Sequence, residues 1–149
     1  MKRIVIGLIV GSLAATGVAF AQDNPIKQRQ DIMKRNGDIV DKATKMLKGE
    51  APYNGAEVAD GMKTISGAMD TFITLFPEGS GPAPGVKTDA LPTIWQNKAD
   101  FEARAKQLKK DAAETANAAA GGMNAFLPAF MAMGKTCQGC HEKYHKEEK

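Results

Sequence analysis

Both cysteines of this 149-residue chain lie in one short run, Cys137-Gln138-Gly139-Cys140-His141. Two thiols three residues apart, with an imidazole directly after the second, have the spacing of covalent haem attachment. On a helix, offsets of three and four put Cys137, Cys140 and His141 on one face, so two thiols can reach the vinyl groups of one porphyrin while the imidazole meets its iron. Thioether bonds would keep that cofactor even where core packing alone would not. Two other chemistries use the same residues. A structural or redox disulfide between Cys137 and Cys140 suits an exported protein, but a thioredoxin-type site sits in a βαβ setting and no stretch of this chain sustains strand alternation. A zinc site needs a fourth ligand in tetrahedral geometry, and the one other histidine, His145, lies four residues beyond His141.

The elements that must position this run read as helices. Asp23-Asn24-Pro25 supplies a polar cap and a proline suited to the first helical position. From there Ile26, Met33, Val40 and Leu47 recur every seven residues, beside Ile32, Ile39 and Met46, until Gly49 and Pro52 stop the pattern. Asn54 followed by Glu57 has capping-box spacing, and Val58, Met62, Ile65, Met69, Phe72 and Phe76 extend a second stripe as far as Pro77. Pro77 to Pro92 carries four prolines and three glycines and reads as a long irregular connection between two halves. A third stripe runs Phe101, Ala105, Leu108, Ala112, Thr115 and Ala119, with residues small enough for close packing, and Gly121-Gly122 breaks it. The last stripe passes through Phe126, Phe130, Met133, Cys137, Cys140 and Tyr144, with Pro128 expected to kink that helix or delay its start. The fold expected is all-α, an antiparallel four-helix bundle with a covalently bound haem.

The first residues read as an export signal. Lys2 and Arg3 precede an uncharged stretch from Ile4 to Phe20 and the small-residue pattern Ala19-Phe20-Ala21. A retained anchor is the competing reading, but the stretch is rich in Gly, Ser, Thr and Ala and runs directly into polar sequence. Cleavage after Ala21 divides the chain into a signal peptide, 1–21, and one domain, 22–149, expected in the periplasm with no stable membrane anchor. The full chain carries a net charge of +3; losing Lys2 and Arg3 leaves 18 basic against 17 acidic residues, or +1. Such a balance lacks the strongly basic face of a nucleic-acid binder. The interleaved charges of the tail, from Glu142 to Lys149, read as a solvated helix end.

The C-terminal Cys137-to-His141 motif on the fourth helix, the pair Arg29-Gln30, the turn Ala51-Pro52-Tyr53 and Ile94-Trp95 after the long loop together resemble the class II c-type cytochromes, the cytochrome c prime family. The resemblance spans essentially all of residues 22–149. It implies one haem c between the helices, with Cys137 and Cys140 as its covalent attachments, His141 as proximal iron ligand and Arg29 near a propionate at the bundle edge. Without it, Arg29 reads as surface charge. It also implies that Ile73, Phe76 and Trp95 line the haem pocket, although each reads equally as plain core. In the high-spin members the residue three after the glutamine is a bulky aliphatic; here it is Met33, which resembles the low-spin, methionine-ligated branch. A thioether there would complete His/Met ligation and favour electron transfer over gas binding. By periodicity alone Met33 is a heptad core residue, since methionine is a common gap-filler. His145 stands where the family often has Arg or Lys, and is a weak rival for the iron. The function expected is therefore an electron carrier, not an enzyme, exchanging electrons with periplasmic redox proteins, and a homodimer is an assembly the resemblance allows. The alternative is a high-spin cytochrome that binds nitric oxide or carbon monoxide.

Overall fold

The computed structural model describes residues 24–146, so the export signal lies outside the described residues. Its first helix, α1 (Pro25–Leu47), begins where the cap chemistry places it. The Asn24 side chain accepts from the Ile26 N–H at 3.0 Å, and Pro25 occupies a position whose missing N–H costs nothing. It ends at Lys48, and Gly49 takes the left-handed conformation (φ 75°) that turns the chain away. Helix α2 (Gly55–Phe72) is capped by Asn54, whose side chain accepts from the Glu57 N–H at 3.2 Å. The Glu57 carboxylate does not complete a reciprocal box; it pairs with Lys42 across to α1. Past Phe72 the helix tightens into a 3-10 turn at Ile73–Leu75, short of Pro77.

The proline-rich connection is built, and it carries a short helix that the apolar pattern does not announce, α3 (Thr93–Gln96). Helix α4 (Lys98–Ala119) stops at the two glycines, Gly122 with φ 82°. Helix α5 (Met123–Tyr144) starts at once and runs through Pro128. The expected delay therefore does not occur. Pro128 is early enough in the helix that only the Asn124 carbonyl, in its first turn, loses a partner.

Four long helices thus make the bundle, with no strand beyond one isolated bridge among the described residues. The closest seam is α2 against α4. Ala105, Ala112, Ala116 and Ala119 are all buried there, and Ser66 donates to the Lys109 backbone carbonyl at 2.8 Å across it. Two apolar clusters fill the bundle. One gathers Ile32, Met69, Phe72, Phe76, Ile94, Phe101 and Tyr144; the other gathers Met46, Met62, Ile65, Ala112, Phe126 and Met133. Met62 is fully buried, and cutting it to alanine should cost about 3 kcal/mol. Helix α5 packs extensively on α4, whereas α1 touches the rest more sparsely, and between α1 and α5 the bundle opens into a cavity.

Candidate haem site

The attachment run occupies the last two turns of α5, so Cys137, Cys140 and His141 share a face as their spacing requires. All three line the cavity. Both cysteines are half-buried free thiols, and burial raises their pKa, that of Cys140 to about 11. They are not disulfide-bonded, and no cluster of three or more metal-binding side chains occurs among the described residues. Partial desolvation, aided by repulsion from His145, lowers the His141 pKa and so favours the neutral imidazole, the form that can donate a lone pair to a metal. The two histidine rings lie 5.6 Å apart, while His145 is tied down by its own backbone, with its Nδ1 2.7 Å from the Lys146 carbonyl.

The end of α5 is held by a network that the sequence pattern did not reveal. Asp100 on α4 accepts from Tyr144 OH at 2.6 Å, Arg104 Nε at 2.8 Å and Lys143 Nζ at 3.0 Å. These three donors hold its carboxyl well below the usual carboxylate range. Arg104 then donates to the carbonyl of Gly139, between the two cysteines, at 3.3 Å. The loop fixes the same end: Leu91 N–H donates to Tyr144 O at 2.9 Å and Lys146 N–H to Asp89 O at 2.8 Å.

Arg29 is not at the bundle edge. It is 3% exposed, and one nitrogen (Nη1) donates to Leu75 O and Ser80 Oγ, the other (Nη2) to Ser80 O and Thr88 Oγ1, all within 2.8–3.1 Å. Its guanidinium also lies 4.5 Å from the centre of the Phe76 ring. The physical reason is the long loop, which folds over α1 and needs a donor fork for its carbonyls. Only the Nε–H remains for a propionate. Even so, this buried cation has no carboxylate partner among the described residues, and it borders the cavity.

Phe76 lines the cavity as expected, but Ile73 and Trp95 do not. The 3-10 turn at residues 73–75 breaks the helical phase, burying Leu75 and Phe76 and leaving Ile73 half-exposed. Trp95 turns onto Phe76 with ring centres 6.0 Å apart, and its indole N–H donates to Pro77 O at 3.1 Å. Phe72, Ile94 and Phe101 supply apolar wall instead. Met33 lines the cavity from α1, on the wall that Gln30 and Val40 share. So does Asn36, which sequence reading passed over; it is 7% exposed and its Oδ1 has no partner. The signal for it was available, since Asn36 lies three residues after Met33 on the same stripe.

The residues fit a covalently held haem. The cavity has a volume of about 620 Å³, within the range of small-molecule and cofactor sites, and most of its wall is apolar. Two thiols and an imidazole stand on one wall, a buried cation with no carboxylate partner among the described residues borders it, and Met33 and Asn36 line it from α1. A haem has an apolar ring, two reactive vinyls, an iron and two carboxylates to meet those groups.

The comparisons agree. The family model described as Cytochrome C' matches residues 24–145. The chain is 31% identical over 147 residues to the cytochrome c' of Rhodospirillum rubrum, covering 97% of this chain and 98% of that protein. It is 30% identical over 144 residues to cytochrome c-556 of Agrobacterium fabrum, covering 97% and 94%. Among solved structures, the cytochrome c prime of Shewanella frigidimarina superposes with a TM-score of 0.74 at 31% identity, over 83% of this chain and 94% of that one. With a family model over residues 24–145 and a relative 31% identical along nearly the whole chain, the chain belongs to the cytochrome c' family, monohaem proteins of the class II c type.

Proposed function

We propose that this protein is an exported electron carrier, working through a haem c held by Cys137 and Cys140 and ligated by His141 and Met33. The supporting observation is that the Met33 thioether and the His141 imidazole line one cavity from its two opposed helices, α1 and α5. When bound, the haem supplies the Fe(III)/Fe(II) couple. The chain contributes the rest. Asp100 and Arg104 fix the turn that carries His141, so the imidazole keeps one orientation. Phe72, Phe76 and Phe101 exclude water and lower the local dielectric. No general acid, base or nucleophile is needed, and no substrate is transformed. The periplasm, where thiols and haem meet outside the cytoplasm, is the place this reading assigns, and redox proteins there are the partners. In keeping with it, no helix among the described residues is long and apolar enough to cross a membrane.

The second reading is a high-spin cytochrome that takes up nitric oxide or carbon monoxide. It is favoured by the name cytochrome c' borne by two of the three relatives, and by Met33 being only partly buried. The ferric optical spectrum separates the two. A six-coordinate, low-spin spectrum with the weak sulfur-to-iron band toward the red is the expected result, and a high-spin spectrum would transfer the assignment to the gas-binding reading.

A further inference from the structure

The chain has two tyrosines and one tryptophan, the aromatic side chains that give up a single electron most readily, and of the three only Tyr144 lines the cavity. They also differ in what accepts their hydrogen bond. Tyr53 OH donates to Ala119 O at 3.2 Å and the Trp95 indole N–H to Pro77 O at 3.1 Å, and a backbone carbonyl is not basic enough to keep a proton. Tyr144 OH donates to the Asp100 carboxylate at 2.6 Å, and a carboxylate can keep one. Removing an electron from a phenol makes its O–H a strong acid, so oxidation of a tyrosine is costly unless the proton leaves with the electron. A base in hydrogen-bond contact provides for that. Tyr144, Arg104 and Lys143 all bond to Oδ2 of Asp100, none of them to Oδ1, and this side chain is 44% exposed, so a proton reaching it has water as its next acceptor. The two cations hold Asp100 ionised and so able to receive. They also weaken it as a base, but an oxidised phenol is acidic enough to protonate it. The Tyr144 ring, by contrast, is 3% exposed and set edge-on to Phe101 with ring centres 5.3 Å apart, which shields a radical there from solvent.

We propose that Tyr144 is a redox-active residue: when a hydroperoxide is reduced in the haem pocket, Tyr144 returns one electron to the pocket and its phenolic proton passes to Asp100. This rests on the cavity being the haem site and not on Met33 being the resting ligand. The hydroperoxide takes two electrons from the haem and two protons from solvent, its O–O bond breaks, and an alcohol and water leave. The haem is then two electrons short. Tyr144 restores one of them and becomes a neutral tyrosyl radical, with Asp100 left as the carboxylic acid. An external one-electron donor restores the second, and a further electron from it, with the proton held by Asp100, regenerates the phenol. Tyr144 thus draws an oxidising equivalent away from the Met33 thioether and onto a buried ring.

The test mixes the ferric Met33→Leu holoprotein, in which no sulfur competes for the iron, with hydrogen peroxide, freezes the mixture rapidly and records its electron paramagnetic resonance spectrum. An organic radical signal is expected, and ring-deuterated tyrosine supplied during growth should narrow it. In that background Tyr144→Phe, which keeps the ring packing, should abolish the signal, whereas Tyr53→Phe and Trp95→Phe should leave it. Asp100→Asn should slow its appearance about a hundredfold, the ordinary effect of removing a placed base, and Asp100→Glu should recover most of the rate. Haem absorbance normalises every trace, so a variant that folds in poor yield lowers the amount of protein and not the rate per haem. Absence of a tyrosyl signal before any tyrosine is replaced, or its survival in Tyr144→Phe, would overturn the proposal. So would an Asp100→Asn rate equal to that of its parent, which is the mark of a purely structural network. The resting ferric spectrum of the unmodified protein reads Met33 alone, so failure of the electron-carrier reading and failure of this one are separately visible.

Discussion

Replacing Arg29 by methionine, which keeps the length of the side chain and removes its fork, should detach the loop from α1. Four acceptors lose their donor at once: Leu75 O, Ser80 O, Ser80 Oγ and Thr88 Oγ1. Hydrogen bonds to a charged group contribute about 1.5–3 kcal/mol each, so the gross loss is about 6–12 kcal/mol. Against that, the buried cation no longer has to be desolvated, which returns several kcal/mol, and the freed loop carbonyls can turn to water. The balance is a destabilisation of about 3 kcal/mol. Arg29→Lys retains the charge but can satisfy only part of the set, and should fall about midway. Urea unfolding of the holoprotein measures this directly. With a slope of about 2 kcal/mol/M the midpoint should drop by about 1.5 M in Arg29→Met. Limited proteolysis should then cut between Pro77 and Pro92 under native conditions. A midpoint within about 0.25 M of the parent, with the loop still resistant, would refute the view that Arg29 is the loop's anchor.

Met33→Leu should convert a low-spin ferric spectrum to a high-spin one with a folding cost under about 1.5 kcal/mol, because the two side chains nearly match in volume. Its reduction potential should fall by about 59 mV for each tenfold preference of the sulfur for ferrous over ferric iron, as voltammetry would show. Met131→Leu, on an exposed position of α5, should leave the spectrum alone. The purified protein should keep its haem through denaturing electrophoresis, and the doubly substituted Cys137→Ala, Cys140→Ala chain should lose it; mass spectrometry of the denatured chain checks both. Asp100 has a depressed carboxyl pKa in the folded state, so its stabilising effect is present above the ordinary carboxylate range, about pH 4, and is lost as pH falls below it. Asp100→Asn should accordingly lower stability at neutral pH and flatten the acid side of a stability-against-pH curve recorded by thermal unfolding.

The parts of the fold that repeat were legible in the sequence. Helical stripes, the Asn24 and Asn54 caps and the glycine stops are local signals, and the structure realises them within a few residues. Attachment chemistry was legible for the same reason, since three residues on two adjacent turns need no tertiary information. What escaped is what the loop does. A connection rich in proline and glycine has no period, so neither α3 nor the burial of Arg29 beneath residues 75–88 could be read from it. The resemblance implies an edge position for Arg29 and its residue type alone a surface one, yet four loop acceptors draw it inside. The 3-10 turn had a similar effect, taking Ile73, which the resemblance places in the pocket, away from the cavity while Phe76 stays in it. Asn36 shows the opposite failure. Its place was legible, but an amide on an apolar stripe drew no notice until the structure showed it unpaired.

The seam between α1 and α5 bears on how the molecule comes to exist. The apolar side chains along this cleft of about 620 Å³ lack packing partners from the chain itself on that side. A haem ring would supply those contacts. A chain without the pigment should therefore hold α1 less firmly at this distance from α5, leaving Cys137 and Cys140 easier to reach. Thioether bonds at Cys137 and Cys140 would favour the spaced arrangement, over which Arg29 holds the loop. The pigment acts in this sense as a template on which the chain completes itself, and a chain that misses it stays open to the proteases that clear unfinished proteins.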